Sequence, residues 1–314
     1  MSTAAEGSRP ALAPPAYQDE LHAEVLDDIQ IGEHGYKHRL IDGIVMPPYI
    51  TPSRYELSRT LEIRPDDICI TSYPKSGTNW LANVMMRLIH GGEAPPGQTL
   101  RESVHWVESS ILVVRSKEEL DAMPSPRVFK SHMPFHMAVG GNPLETPCRY
   151  VYIARNPKDV AVSYFHFEST APWAGEYTGG WAHWLQMFVE GKLQRGDWFD
   201  HVLSWWKHSD APNVHFMKYE DLSNDFDGEL RRLGAFLGYE VSDELVGVIR
   251  ERTGFKNTKQ DSFSNLHEIP ALSHFYRKGV IGSWKEQFTV LESEWFDEVY
   301  RKRMQGTGLD FDFE

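Results

Sequence analysis

The stretch that decides the fold is residues 70–80, "ITSYPKSGTNW". Ile68, Cys69 and Ile70 read as the apolar end of a buried strand, and "WLANVMMRLIH" from Trp80 spaces its apolar residues as one face of a helix. Between them lie a Pro, a lone cation at Lys75, a Gly and small polar residues. A strand, a tight turn and a helix start leave backbone N–H groups unpaired, and the helix dipole adds about half a positive charge there. This arrangement holds a phosphate-like anion. It is not the P-loop pattern G-x-x-x-x-G-K-[ST], because Lys75 precedes Gly77 and the earlier Gly is missing. Taken alone, the stretch also fits a strand–turn–helix with a surface lysine.

The same grammar recurs outward along the chain. "RVFKSHMPF", "CRYVYIARNP" and "NVHFMKYEDL" each place a β-rich run before polar residues, while "HVLSWWKHS", "FDGELRRLGAFLG" and "DELVGVIRERTG" have helical spacing. Upstream, "YKHRLIDGIVMPPYITPSRYELSRT" reads as a short hairpin and then a helix. Strands alternating with helices predict an α/β fold, one domain over residues 21–314 with a mostly parallel central sheet flanked by helices. The Ala/Pro-rich residues 1–20 read as a flexible lead-in. Ligands of such sheets lie at the carboxyl ends of the strands, which singles out Lys75, Lys130, His132, Arg155 and Tyr219.

Composition narrows the partners. The chain has 314 residues and a formal net charge of −13, which argues against non-specific binding to nucleic acid or anionic membranes. An anionic ligand must therefore meet a local basic island. The two cysteines, Cys69 and Cys148, give neither a disulfide framework nor metal-ligand spacing, and point to a reducing compartment. There is no signal-peptide pattern and no apolar run near the roughly 18 residues a bilayer requires. A soluble, cytoplasmic protein is the expectation.

Lys130 and His132 are two apart after a β-like run, so they share a face in an extended chain. A neutral imidazole can take a proton from an attacking hydroxyl while the ammonium stabilises anionic oxygens. His136 follows, but Pro134 spoils a helical metal pair, so no metal site is expected. Arg155, and later Arg277, Lys278 and Gly279, give further basic turns, with Ser163, Thr253 and Phe255 nearby in sequence.

Together these segments resemble the cytosolic sulfotransferases, which move a sulfuryl group from 3′-phosphoadenosine-5′-phosphosulfate (PAPS) to a small acceptor. The resemblance runs from about residue 60 to residue 310, with "YPKSGTNW", "FKSHMP", "RNPKDVAVSYFHF", "YEDL" and "RKGVIGSWKEQFT" in the family's order. It implies a P-loop-like sulfotransferase fold that releases adenosine 3′,5′-bisphosphate (PAP) and needs no metal. It also implies that Lys75 and the backbone of Ser76, Gly77 and Thr78 hold the 5′-phosphosulfate. Trp80 and Phe255 would sandwich the adenine, with Tyr219 and Thr253 hydrogen-bonding it. Arg155, Ser163, Arg277, Lys278 and Gly279 would bind the 3′-phosphate. His132 would be the general base and Lys130 the stabiliser of the transferring group, with Ser163 holding Lys75 aside until the acceptor arrives. Lys285, Thr289, Val290 and Glu294 match the family's dimerisation motif, implying a homodimer.

Two positions depart from the family pattern. Asn79 stands where Thr is common, and Ser283 where Gly-Asp-Trp is usual. The competing readings are a catalytically silent binder on the same fold and a P-loop kinase. The acceptor is expected to be a phenol, sterol, alcohol or amine in an aromatic pocket drawing on Trp106, Phe135, Phe165, Trp173 and Tyr276, closed by a glycine-rich loop over 171–181.

Overall fold

The computed structural model describes residues 28–171, 174–266 and 276–314. The chain begins with three short strands, β1 (Gln30–Ile31), β2 (Lys37–Ile41) and β3 (Ile44–Met46), followed by helix α1 (Pro52–Thr60). Then come β4 (Ile68–Thr71), α2 (Thr78–Ile89), α3 (Leu100–Ser103), α4 (Lys117–Ala122), β5 (Val128–Ser131) and β6 (Arg149–Ala154). Helices α5 (Pro157–Thr170), α6 (Trp181–Val189) and α7 (Trp198–Trp206) lead to β7 (Val214–Lys218). Helices α8 (Tyr219–Asn224), α9 (Phe226–Leu237), α10 (Asp243–Thr253), α11 (Phe255–Gln260) and α12 (Val290–Met304) complete the chain.

Strands β5, β4, β6 and β7 lie side by side in that order, all parallel. In-register pairing sets Thr71 beside Ser131 and Tyr152, and Ala154 beside Lys218, so the strands end along one edge. The alternation of side chains gives each face of the sheet its own core, beside a smaller third one around Ile41, Met46 and Ile50. Cys69, Phe129, Tyr150 and Tyr152 face one that contains Trp184, Trp198 and Trp205. Ile68, Ile70, Val151 and Ile153 face the other, against Leu81, Val84, Met85 and Leu233. The α/β architecture read from the sequence is the one observed. The expected hairpin is β2–β3, turned by Asp42 and Gly43 with φ of 49° and 77°, the left-handed pair a two-residue turn requires. The lead-in expected over residues 1–20 lies outside the described residues.

At the amino end of the sheet, Arg127 and Asp67 form a fully buried pair. Arg127 Nε donates to Asp67 Oδ1 at 3.0 Å, and its two terminal nitrogens donate to the carbonyls of Leu120 and Glu62 at 3.1 and 2.7 Å. The pair thus joins the start of β5 to the turn before β4. Asp67→Ala would leave a guanidinium buried without its counter-charge, a loss of roughly 3–5 kcal/mol. Urea unfolding should show the midpoint falling with an unchanged slope, and a loss below about 1 kcal/mol would contradict this role.

Candidate active site

The carboxyl edge of the sheet opens into a cavity of about 450 Å³. The turn after β4 forms its floor. Lys75 and Gly77 both take left-handed backbone conformations, with φ of 69° and 100°. Gly77 is required twice over, since a Cβ there would also lie 2.7 Å from Tyr219 Cδ2. The Ser72 and Thr78 hydroxyls share a hydrogen bond of 2.6 Å across the turn, which fixes where α2 begins. Backbone N–H groups of that first turn are therefore presented as a cradle.

Three functional groups converge above it. Lys75 Nζ lies 4.5 Å over the Phe167 ring; burial, then the positive charges of Arg155 and Lys130, push its ammonium down to about 7. Lys130 Nζ lies 4.4 Å over Trp106 and donates to Asn79 Oδ1 at 3.5 Å; burial lowers it to about 8. His132 Nδ1 lies 3.0 Å from the Ser72 carbonyl. A neutral imidazole donates to that carbonyl through Nδ1–H, which leaves Nε2 with the lone pair. Burial, then Lys130 and Arg195, hold His132 well below 6.5. Glu108 sets its backbone, accepting from the His132 N–H at 3.1 Å and from the Ser131 hydroxyl at 2.9 Å.

A second cluster lies where β6 meets the 277–284 segment. Arg155 donates to the Val280 carbonyl at 2.8 Å, and its guanidinium lies 4.4 Å over the Tyr219 ring. The organiser is Asp159 on α5, which is fully buried. It accepts from the Gly282 N–H, the Ser283 hydroxyl and the Trp284 N–H, each at 3.0 Å, and its carboxylate is 3.2 Å from Arg155. Arg277 donates to the Ser283 hydroxyl at 3.0 Å. The departure at Ser283 is thereby explained: its hydroxyl links Arg277 to Asp159. Lys278 is paired with Glu286. Trp80 meets Tyr219 edge-on at 5.2 Å and lies 6.3 Å from Phe226, and the missing Cβ of Gly279 leaves room for the Phe255 ring.

The structure thus brings Lys75, Gly77, Thr78, Asn79, Trp80, Lys130, His132, Arg155, Ser163, Tyr219, Thr253, Phe255, Arg277, Lys278 and Gly279 to one cavity wall. Ser76 is buried beneath, its hydroxyl without a partner. The expected acceptor residues divide. Trp106 and Tyr276 line the cavity. Phe135 does not: it stacks on His208 at 4.0 Å and packs on Trp205. Phe165 also points away, against Trp181 and Trp184, because α5 turns Ser163, Tyr164 and Phe167 to the cavity instead. Trp173 lies outside the described residues. Sequence reasoning missed Tyr49, Phe167, Arg101 and Arg250 in the cavity lining, and Asp159 and Glu108 behind it.

This basic cradle at the end of a parallel sheet defines a nucleotide-type transferase site, and comparison with known proteins gives its class. Residues 65–308 match the sulfotransferase domain family, and the chain belongs to that family. It is 32% identical over 289 residues to human sulfotransferase 1C2, covering 88% of this chain and 96% of that one. It is 34% identical over 278 residues to sulfotransferase 1B1 of the dog, covering 84% and 92%. Mouse sulfotransferase SULT7A1, solved in complex with PAP, superposes with a TM-score of 0.72 at 33% identity, covering 86% of this chain and 94% of that one. Retinol dehydratase superposes with a TM-score of 0.73 at 20% identity, a likeness of fold. The protein is a PAPS-dependent sulfotransferase acting on small-molecule acceptors, and the kinase reading is set aside.

The depressed ammonium groups yield a pH prediction. An anionic ligand favours protonated Lys75 and Lys130, so binding raises both pKa values and takes up protons. If the two ammonium groups meet the phosphates of PAP, the affinity they add is fully present below about pH 7 and is lost as pH rises through the values of the bound state. Calorimetry near pH 8 in buffers of different ionisation enthalpy should report net proton uptake, diminished in Lys75→Met. Equal proton counts in the two proteins would refute the assignment.

Proposed function

We propose that this site carries out in-line sulfuryl transfer with His132 as general base, Lys75 offsetting charge on the departing phosphate oxygen and Lys130 stabilising the transferring group. The observation that carries this reading is the His132–Ser72 bond of 3.0 Å, which commits Nδ1 and leaves Nε2 to take the acceptor's proton beside both lysines. Arg155, Ser163, Arg277, Lys278 and Gly279 would hold the 3′-phosphate. Trp80, Tyr219, Thr253 and Phe255 would receive the adenine. Thr253 spends its hydroxyl hydrogen on the Ile249 carbonyl at 2.8 Å, so it offers the base an acceptor. The acceptor half, with Tyr49, Trp106, Ile111, Leu112 and Phe167, suits a phenol, sterol or other apolar alcohol or amine.

General-base catalysis contributes about 10²–10⁴-fold. His132→Ala should lose at least ~100-fold in kcat with a phenolic acceptor while PAP affinity, read by calorimetry, stays within about twofold. Near-normal turnover would remove the base assignment, and absence of turnover in the unmodified protein across phenols, sterols, alcohols and amines would favour the silent-binder reading.

We also propose a homodimer through Lys285, Thr289, Val290 and Glu294. Val290 and Leu291, at the start of α12, are 73% and 78% exposed, which is unusual for two adjacent apolar side chains. Val290→Glu should yield a monomer by light scattering; an unchanged mass would sink this surface. A cytoplasmic location suits Cys69 and Cys148, both buried as free thiols. Among the described residues, no helix is long and apolar enough to cross a membrane.

A further inference from the structure

The cosubstrate does not account for every cation in the cavity. Lys75, Lys130, Arg155, Arg277 and Lys278 are given to its phosphates and to the transferring group above, but Arg101 and Arg250 line the same space. Arg250, three residues before Thr253 on α10, is paired with Asp227 beside Phe226, at the adenine end. Arg101 stands at the other end. It lines both the main cavity and a side recess of about 20 Å³ that shares Asn79, Trp106, Leu112 and Lys130 with it. Trp106 ties this corner to the chemistry: Lys130 Nζ lies 4.4 Å over its ring, and the His132 imidazole meets it edge-on at 5.5 Å. The Arg101 charge reaches Lys130 and adds to the burial that depresses that ammonium.

The backbone that bears Arg101 is held on both sides. Glu102 accepts from the Thr99 N–H at 2.7 Å at the start of α3, and the Leu100 N–H donates to the Phe263 carbonyl at 2.8 Å. Leu100 and Ser103 are buried, while Arg101 is turned to the cavity. Two cations therefore face the acceptor's end, and among the described residues no Asp or Glu lines the cavity. An ammonium there would meet like charge. A carboxylate would meet a planar fork able to hold it with two hydrogen bonds. A guanidinium has five N–H donors, so this is compatible with the contact Arg101 already makes within the protein.

We propose that Arg101 is a specificity-determining residue that selects acidic acceptors: phenols or alcohols bearing a carboxylate, which the guanidinium holds while the hydroxyl lies at His132. This rests on the sulfotransferase reading above and narrows its acceptor class from apolar alcohols and amines to hydroxy acids.

The test uses para-substituted phenols ending in a carboxylate, a carboxamide or an ammonium, each on one, two or three methylenes. The methylenes insulate the acidity of the phenol from the end group. Each is measured as kcat/KM at saturating PAPS and as binding to the PAP-loaded protein by calorimetry, so that the phosphate-binding cations are already covered. At the best chain length the unmodified protein should favour the carboxylate over the carboxamide by about tenfold, with the ammonium weakest. Arg101→Gln should bring that ratio near one, mainly through KM and binding, with PAP affinity unmoved. Arg101→Lys, which keeps the charge and loses the fork, should retain part of it. A ratio near one at every chain length in the unmodified protein overturns the proposal. So does an unchanged ratio in Arg101→Gln, or an equal fall on all three end groups in both variants. Failure of the unmodified protein to bind PAP would strike the sulfotransferase reading itself, whereas PAP binding without a carboxylate preference strikes only this proposal.

Discussion

Crowded positive charge is the constraint on which the site depends. In a chain of net charge −13, the described cavity wall contains Lys75, Arg101, Lys130, Arg155, Arg250, Arg277 and Lys278 and not one carboxylate. Burial first, and then for Lys75 the charges of Arg155 and Lys130, makes Lys75 and Lys130 release their protons more readily than free lysines do. The fold tolerates this because the acids stand one layer back. Asp159 collects the 282–284 backbone, Glu220 accepts from the Asn156 N–H at 2.8 Å, and Glu108 fixes the strand end that bears His132. Each orients a basic segment without entering the space a polyanion needs. Electrostatic preorganisation of this kind requires rigid donors, and the short connections after parallel strands supply them.

The division of labour between strands follows from the register. Pairing of Thr71 with Ser131 brings the turn containing Lys75 beside the element containing Lys130 and His132. Lys75 and the Lys130–His132 pair are thus delivered by neighbouring strands, and their spacing is set by backbone hydrogen bonds rather than by long side chains. The second cluster is delivered by β6 and by the 277–284 segment, which no strand holds; Asp159 performs that task instead.

How much of this was legible in the sequence differs by kind of interaction. The four parallel strands were readable because each is a β-rich run ending in polar residues, and local pattern dictates such elements. Lys75, Lys130 and Arg155 were readable because the turns place them where ligands bind such sheets, whereas Arg101 and Arg250 reach the same cavity from helical segments with no such signal. The acceptor wall was not. Phe165 and Phe167 are two apart in one apolar helix, and which of them faces the cavity depends on how α5 rotates against Trp181 and Trp184, a tertiary matter. Glu108 and Asp159 were hidden for the opposite reason: acidic residues abound in this chain, and only contacts across tens of residues reveal what they hold.

The contact between Gly77 and Tyr219 has a historical consequence. The phenol ring occupies the volume that any β-carbon at position 77 would claim, although 142 positions separate the two in the chain (219 − 77). The dependence runs one way: a β-carbon at 77 evicts the ring, whereas a smaller side chain at 219 relieves only the steric demand, because the φ of 100° still holds position 77 to glycine. Lineages descended from a common ancestor should therefore keep the glycine wherever the ring is kept, a dependence between two segments that meet only in the folded molecule.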